Sequence, residues 1–114
     1  DTALVDLSKV VDISKSQMED MRVSALSLAK DLGQSSVDIV GGMAEFGRVT
    51  KDLTEIKELT KTATMASNVT DLSASDAAAA LNTTMIAFKI NAKDSMKILD
   101  QFNEIQNNFR TSGE

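Results

Sequence analysis

The side chains that most often carry out catalysis are missing from this sequence. Its 114 residues include no histidine and no cysteine, which removes the usual general base, the thiolate nucleophile and the common zinc ligands. Ser27 and Lys30 have the S-x-x-K spacing of serine acylases, but the companion motifs of those enzymes are absent. Both residues fall within a long predicted helix, where a solvated Ser and Lys are ordinary. We therefore predict a protein that is not an enzyme, with no catalytic residue, no cofactor and no metal site.

A glycine-rich stretch near the middle of the chain offers a second chemical interpretation. Gly41-Gly42 and Gly47 suggest a phosphate-binding loop, but Arg48-Val49 follows where such a loop has Lys and then Ser or Thr. We expect the adjacent glycines to lie in a helix instead. Such a pair costs a helix roughly 2 kcal/mol relative to alanine, so it marks either a close contact between helices or a flexible point. The run Ala77–Ala80 raises a similar choice, between close approach of a partner helix and simple helix preference.

The composition favours a single helical domain. Hydrophobic residues make up 42% of the chain and aromatic residues 4%, so the core should be aliphatic and rich in methionine. There is no proline, and the frequent residue types favour helix over strand. The net charge of −5 argues against direct nucleic-acid binding, and no apolar run approaches the ~20 residues of a transmembrane helix. We predict an all-α fold: a compact bundle or orthogonal stack of about five short helices, the first one longest.

Helix starts recur along the chain. A short polar residue at the N-cap accepts a hydrogen bond from an unpaired backbone N–H, and an acid three residues later favours the positive end of the helix dipole. This order of cap, acid and apolar stripe predicts helices that begin after Ser35 or Ser36, Asp52, Ser73 and Asn91. Ser112 resembles the start of a further helix. The intervals of 17, 21 and 18 residues form a degenerate repeat rather than a familiar solenoid period.

Residues 1–33 are predicted to form a long N-terminal helix with a heptad pattern. Such a seam suits a partner helix, and the candidate interface residues are Leu4, Leu7, Val11, Met18, Met21 and Leu28. The core face of an ordinary amphipathic helix produces the same pattern. Ser14 with Gln17 also resembles a capping box, which predicts a restart near residue 14 as an alternative. Residues 34–114 should form an array of short capped helices in the same domain, and both termini suggest a fragment of a longer chain.

Taken in order, these elements resemble the core region of phage tail tape measure proteins. A helix that ends in a turn with lysine and glycine, Ala29–Gly33, is followed by a Ser-capped helix and then by a helix rich in Ala and Thr. The next helix has an S-x-x-x-A-x-x-x-L pattern, with Asn after the Leu and Ala-Phe at its end: Ser73, Ala77, Leu81, Asn82, Ala87 and Phe88. The similarity extends from Val10 onward. One departure is the corner Lys89–Asn91, where such proteins usually have a glycine.

The resemblance implies a structural role in the tail of a phage or prophage. The parent protein would be a long helical chain in the lumen of the tail tube that sets tail length, templates tube assembly in the host cytoplasm and leaves before DNA ejection. Its partners would be tail tube and tail assembly proteins, and the seam of the first helix predicts a homo-oligomer. Two other classes remain open: a helical scaffold or adaptor of a secretion- or chemoreceptor-like system, and an accessory domain of an envelope hydrolase.

Overall fold

Four helices account for most of the structure. The computed structural model describes residues 9, 13–95 and 97, which form α1 (Lys15–Leu32), α2 (Ser36–Phe46), α3 (Leu53–Asn68) and α4 (Ala74–Phe88). Helical backbone returns at 92–95, which we term α5. The described residues contain no strand, and α1 is the longest helix with 18 residues. The Cα radius of gyration is 14.0 Å, close to the roughly 13 Å of a globular chain of this length. The prediction of a compact all-α fold is confirmed.

The helices begin where the sequence places their caps. Each N-cap side chain accepts a hydrogen bond from a backbone N–H two or three residues later. The N-cap residues are Ser14, Ser35, Asp52, Ser73 and Asn91. At the first of these, Ser14 and Gln17 form a reciprocal capping box with N···O distances of 3.1 and 2.9 Å, so α1 starts at the alternative position near residue 14. Residues 1–8 and 10–12, the earlier part of the predicted first helix, lie outside the described residues, as does Ser112.

Two helices end in a residue with left-handed backbone conformation. Gly33 ends α1 with a φ of 67°, and Lys89 ends α4 with a φ of 56°. Glycine adopts this conformation freely, whereas it costs other L residues about 1–2 kcal/mol. The Ile90 N–H closes the second turn by donating to the Met85 carbonyl oxygen at 2.9 Å. The corner that lacks glycine therefore has the backbone shape that glycine usually provides.

The core is aliphatic and rich in methionine, as the composition predicts. α1 contributes Met21 and Ala25, and the later helices contribute Ile39, Val40, Met43, Phe46, Ile56, Leu59, Ala63, Ala74, Ala77, Ala78, Met85 and Ala92. Three hydroxyl groups are also buried on α3, and each donates to a carbonyl of its own helix at 2.6 or 2.7 Å: those of Thr60, Thr64 and Ser67. These bonds satisfy the hydroxyl groups, so their burial leaves no unpaired donor.

The helices pack as two parallel pairs, because residue numbers increase in the same direction along both members of each pair. The contacts that establish this order are Asp38–Ala74 and Glu45–Asn82 between α2 and α4, and Asp20–Lys57 and Gln34–Asn68 between α1 and α3. The most extensive contact joins α2 to α4, and α2 also packs against α1 and α3. The parallel α2–α4 pair therefore lies at the centre of the fold.

Candidate functional site: the contact between α2 and α4

Small residues let α2 and α4 approach closely. Gly42 is buried, and a Cβ at its position would lie 3.5 Å from the Ala74 carbonyl oxygen and 3.6 Å from the Ala78 Cβ. A Cβ on Gly41 would come too close to the Ser75 Oγ. The helix continues through both glycines. The structure therefore supports the close helix contact over the flexible point, and the alanines at the start of α4 form the other side of that contact.

One carboxylate ties the start of α4 to α2. Asp38 lies in the first turn of α2, as predicted for its own helix. Its carboxylate also accepts hydrogen bonds from the backbone N–H groups of Ala74 at 2.7 Å and Ser75 at 3.4 Å, and the Ser75 Oγ donates to the Asp38 carbonyl oxygen at 2.8 Å. The first N–H groups of a helix lack intrahelical partners and form the positive end of its dipole, so a carboxylate there is favourable. No sequence pattern pointed to this long-range contact.

A buried amide makes the corresponding contact at the far end of α2. Asn82 is 5% exposed, and its Nδ2 donates to the Glu45 carbonyl oxygen at 2.6 Å. This carbonyl belongs to the last turn of α2, where acceptors lack intrahelical partners. The Asn82 Oδ1 is buried and has no hydrogen-bond partner among the described residues. The hydrogen bond from Nδ2 therefore fixes the position of Asn82, and with it α4, against the end of α2.

The predicted partner interface on α1 faces the chain's own core wherever the structure describes it. Met21 is fully buried, and Met18 and Leu28 pack against the core from its edge. These three residues form the core face of an amphipathic helix, which was the alternative interpretation. The remaining predicted interface residues lie outside the described part of the chain; they are Leu4, Leu7 and Val11. Self-association through this seam therefore stays a prediction.

A groove separates the outer parts of α1 and α3. It encloses about 340 Å³ and is lined by Val23, Ser24, Ser27, Leu28, Met43, Lys57, Glu58 and Lys61. Asp20 and Lys57 form an ion pair across it. The lining mixes apolar side chains with charges of both signs, which gives no preference for one class of ligand. The groove thus differs from the α2–α4 contact, where the backbones themselves meet.

The described residues form neither a metal cluster nor a membrane-spanning helix. No group of three or more His, Cys, Asp or Glu side chains among them could hold a metal ion. None of the described helices combines the length and the apolar character needed to cross a bilayer. Ser27 and Lys30 are both exposed on α1, as expected for a solvated pair.

An ion pair on the exposed side of α1 shifts the pKa values of both its members. The Arg22 guanidinium donates hydrogen bonds to the Glu19 carboxylate at 3.1 and 3.0 Å. This hydrogen bonding, together with the opposite charge of the partner, lowers the pKa of Glu19 and raises the pKa of Arg22. Both side chains are more than half exposed, so the pair is a surface feature rather than part of a reactive site.

Comparison with models of known protein families identifies the family of this chain. The phage-related minor tail protein family matches residues 22–114, which include most of α1 and all the later helices. The chain belongs to this family. No solved structure matches it. Membership makes the chain a structural component of a phage tail, with tail assembly proteins as its partners and the virion tail as its location.

Proposed function

We propose that this minor tail protein is a non-enzymatic module of a phage tail tape measure protein. In that role the parent protein sets tail length, templates assembly of the tail tube in the host cytoplasm, and leaves the tube lumen for DNA ejection. The observation that carries the proposal is the family match over residues 22–114. The order of capped helices, which resembles the tape measure core, adds support for the more specific role.

We further propose that residues 1–33 and 34–114 belong to one domain of a longer chain. Two of the later helices, α2 and α3, pack against α1. Met21 and Ala25 of α1 are buried in the same core as the side chains of those helices. A shared core supports a single cooperative unit rather than a separate N-terminal rod.

A tape measure protein converts the number of its residues into a length of tail. The length that this module contributes depends on whether its helices stay packed together. As one continuous helix the chain would be about 170 Å long, because a helix rises ~1.5 Å per residue. The folded chain is 47 Å in its longest dimension. A module that opens into a rod inside the tube would therefore contribute roughly three to four times the length of a folded one. The caps and the α2–α4 contact favour the folded form in the free protein.

Tail length in the phage that encodes this chain tests the proposal. Residues 14–89 contain the four complete helices, and we expect an in-frame duplication of them to lengthen the tail. The increase should be about 114 Å if the added residues form a continuous helix, and at most 47 Å if they remain folded. An in-frame deletion should shorten the tail correspondingly. Electron micrographs of purified particles give the lengths.

A point substitution provides the matched control. Gly42→Leu disturbs the α2–α4 contact without changing the number of residues, so assembled tails should keep their length. Unchanged tail length after both the duplication and the deletion, in particles that still assemble, would contradict the length-setting role. That result would leave membership of the minor tail family intact.

A further inference from the structure

The helices repeat in pairs. The N-caps of α1 and α3, Ser14 and Asp52, are 38 residues apart, and so are the N-caps of α2 and α4, Ser35 and Ser73. Single helices start at uneven intervals, which alternate between 21 residues and 17 or 18 residues. Taken as pairs, α1–α2 forms one layer and α3–α4 forms a second layer with the same order of elements. Asn91, the N-cap of α5, follows Asp52 by 39 residues, so a third layer would begin at the expected place.

Contacts between the two layers have an offset slightly shorter than this period. Five hydrogen-bonded pairs join residues that are 34 to 37 positions apart: Gln34–Asn68, Asp38–Ala74, Asp38–Ser75, Asp20–Lys57 and Glu45–Asn82. Two layers of the same design are thus stacked in parallel, each helix beside its counterpart. Stacks of this kind are open-ended, because the outer side of the last layer repeats the side that the first layer uses for contact.

The outer side of the second layer carries apolar groups at the contact positions. In the first layer, two residues face the second layer: Ser27 of α1, which lines the groove, and Gln34, which follows α1 and bonds to Asn68 of α3. The residues 38 positions later are Met65 and Leu72, which are 42% and 46% exposed. These exposed apolar side chains therefore lie where an adjacent helix would contact them.

The start of α5 is buried in the same pattern as the start of α3. Ala92 and Ser95, its first and fourth residues, are 5% and 4% exposed. The first and fourth residues of α3 are Leu53, which is half-buried against the core, and Ile56, which is fully buried. The third layer therefore begins with the same side turned inward as the second.

We propose that α5 continues parallel to α3 and lies along its outer side, next to Met65 and Leu72, so that the chain is a stack of layers with a period of about 38 residues. The occupant of this surface is the chain's own segment that follows Asn91. The 39-residue offset between Asp52 and Asn91 gives Asn107 the position of Asn68. Leu72 and Asn107 should then be neighbours, as Gln34 and Asn68 are. This proposal concerns the packing of the chain and does not depend on a role in setting tail length.

Cysteine cross-linking tests the proposal, since the natural chain has no cysteine. The test variant is Leu72→Cys/Asn107→Cys, and the reference variant is Gln34→Cys/Asn68→Cys, a pair already in contact. The control Leu72→Cys/Ile105→Cys places the second thiol on the opposite side of the same helix, because two residues turn a helix by about 200°. Each full-length variant is treated at micromolar concentration with a short bismaleimide, and its helical fold is checked by circular dichroism.

We expect the test pair to cross-link within one chain at a rate comparable to the reference pair. This reaction should be roughly a thousandfold faster than cross-linking between chains at micromolar concentration, because the effective concentration of neighbouring groups is millimolar. A test pair that reacts no faster than the control, or that gives only dimers, would overturn the proposal; dimers would assign the surface to a second copy. If that variant does not fold, Met65→Cys/Asp100→Cys, which corresponds to the groove residues Ser27 and Lys61, provides the same comparison.

Discussion

The α2–α4 contact and the α1–α3 contact are both parallel, but different groups form the hydrogen bonds between the helices. Between α2 and α4 the approach is set by Gly42 and Ala78, and the hydrogen bonds end on backbone groups of the partner helix. Between α1 and α3 the hydrogen bonds join two long or polar side chains, as in Asp20 with Lys57, and a groove of about 340 Å³ opens beside them. The same relative arrangement is therefore held by a close contact at one place and by a loose contact at another.

This difference shows which contact determines the arrangement of the fold. Backbone groups have fixed positions in a helix, so a side chain that bonds to them permits only one position along the helix axis. Exposed long side chains adopt many rotamers, and ion pairs between them contribute about 0–1 kcal/mol. We infer that the α2–α4 contact sets the register of the layers, whereas the α1–α3 contact tolerates substitution. The following predictions test this inference.

The largest effect is expected from a bulky side chain at the close contact. Gly42→Leu adds three carbon atoms beyond a Cβ that is already 3.5 Å from the Ala74 carbonyl oxygen, so it should lower the free energy of unfolding by about 3 kcal/mol. Gly42→Ala fits the same space and should raise it by about 1 kcal/mol through helix propensity. Ser27→Leu in the groove is the matched control, with a change within about 0.5 kcal/mol. Urea unfolding measures all three, and equal losses at Gly42 and Ser27 would contradict the comparison.

Removing the carboxylate that joins the two helices should have the next largest effect. Asp38→Ala deprives the N–H groups of Ala74 and Ser75 of their acceptor, and the loss of a capping acceptor lowers the free energy of unfolding by about 1–2 kcal/mol. Asp20→Ala removes one partner of the ion pair between α1 and α3 and should cost at most about 1 kcal/mol. Thermal and urea unfolding compare the two variants. If Asp20→Ala proves the more destabilising, the ranking of the two contacts is wrong.

The local features of the fold could be predicted from the sequence because local interactions produce them. A cap such as Ser73 bonds to an N–H three residues away, and an apolar stripe needs only the period of one helix. The residues that join helices could not be found in this way. The position of Asp38 is fully explained by its place as the acid in the first turn of its own helix. Nothing in the sequence therefore indicates that the same carboxylate also accepts a hydrogen bond from the N–H of Ala74, 36 residues later. The sequence marks Asn82 only as the residue after the Leu of the S-x-x-x-A-x-x-x-L pattern and does not predict its hydrogen bond to the Glu45 carbonyl oxygen.

Ambiguous patterns were resolved only by the neighbours that the fold supplies. The glycine pair Gly41-Gly42 is compatible with flexibility or close packing until the facing residues, Ser75 and Ala78, are known. The heptad pattern of α1 is shared by partner seams and core faces, and the structure places Met21 in the chain's own core. Lys89 adopts the left-handed conformation that glycine prefers, and the N–H of Ile90 closes the corner by a bond to the Met85 carbonyl oxygen.

Substitution of Gly41 should change the free energy of unfolding less, because its effect is coupled to Ser75. A Cβ at Gly41 collides with the Ser75 Oγ, which must then rotate away and lose its bond to the Asp38 carbonyl oxygen. In Gly41→Ala the gain in helix propensity, about 1 kcal/mol, should therefore be offset by the loss of that hydrogen bond, about 0.5–1.5 kcal/mol. In a Ser75→Ala background the gain should appear in full. A double-mutant cycle from urea unfolding measures the coupling, and strict additivity would show that the two residues do not collide.

The smallest effect is expected at a contact that joins no helices. Arg22 lowers the pKa of Glu19 within the exposed side of α1, so the stabilisation it provides is present above the unfolded-state pKa of Glu19 and is lost as the pH falls through the lower folded-state pKa. Arg22→Gln should return the pKa of Glu19 towards its ordinary value, as measured by NMR titration, and leave urea unfolding at neutral pH nearly unchanged because the pair is exposed. A loss as large as that from Asp38→Ala would mean that surface pairs matter as much as the α2–α4 contact, which would remove the distinction between the two kinds of contact.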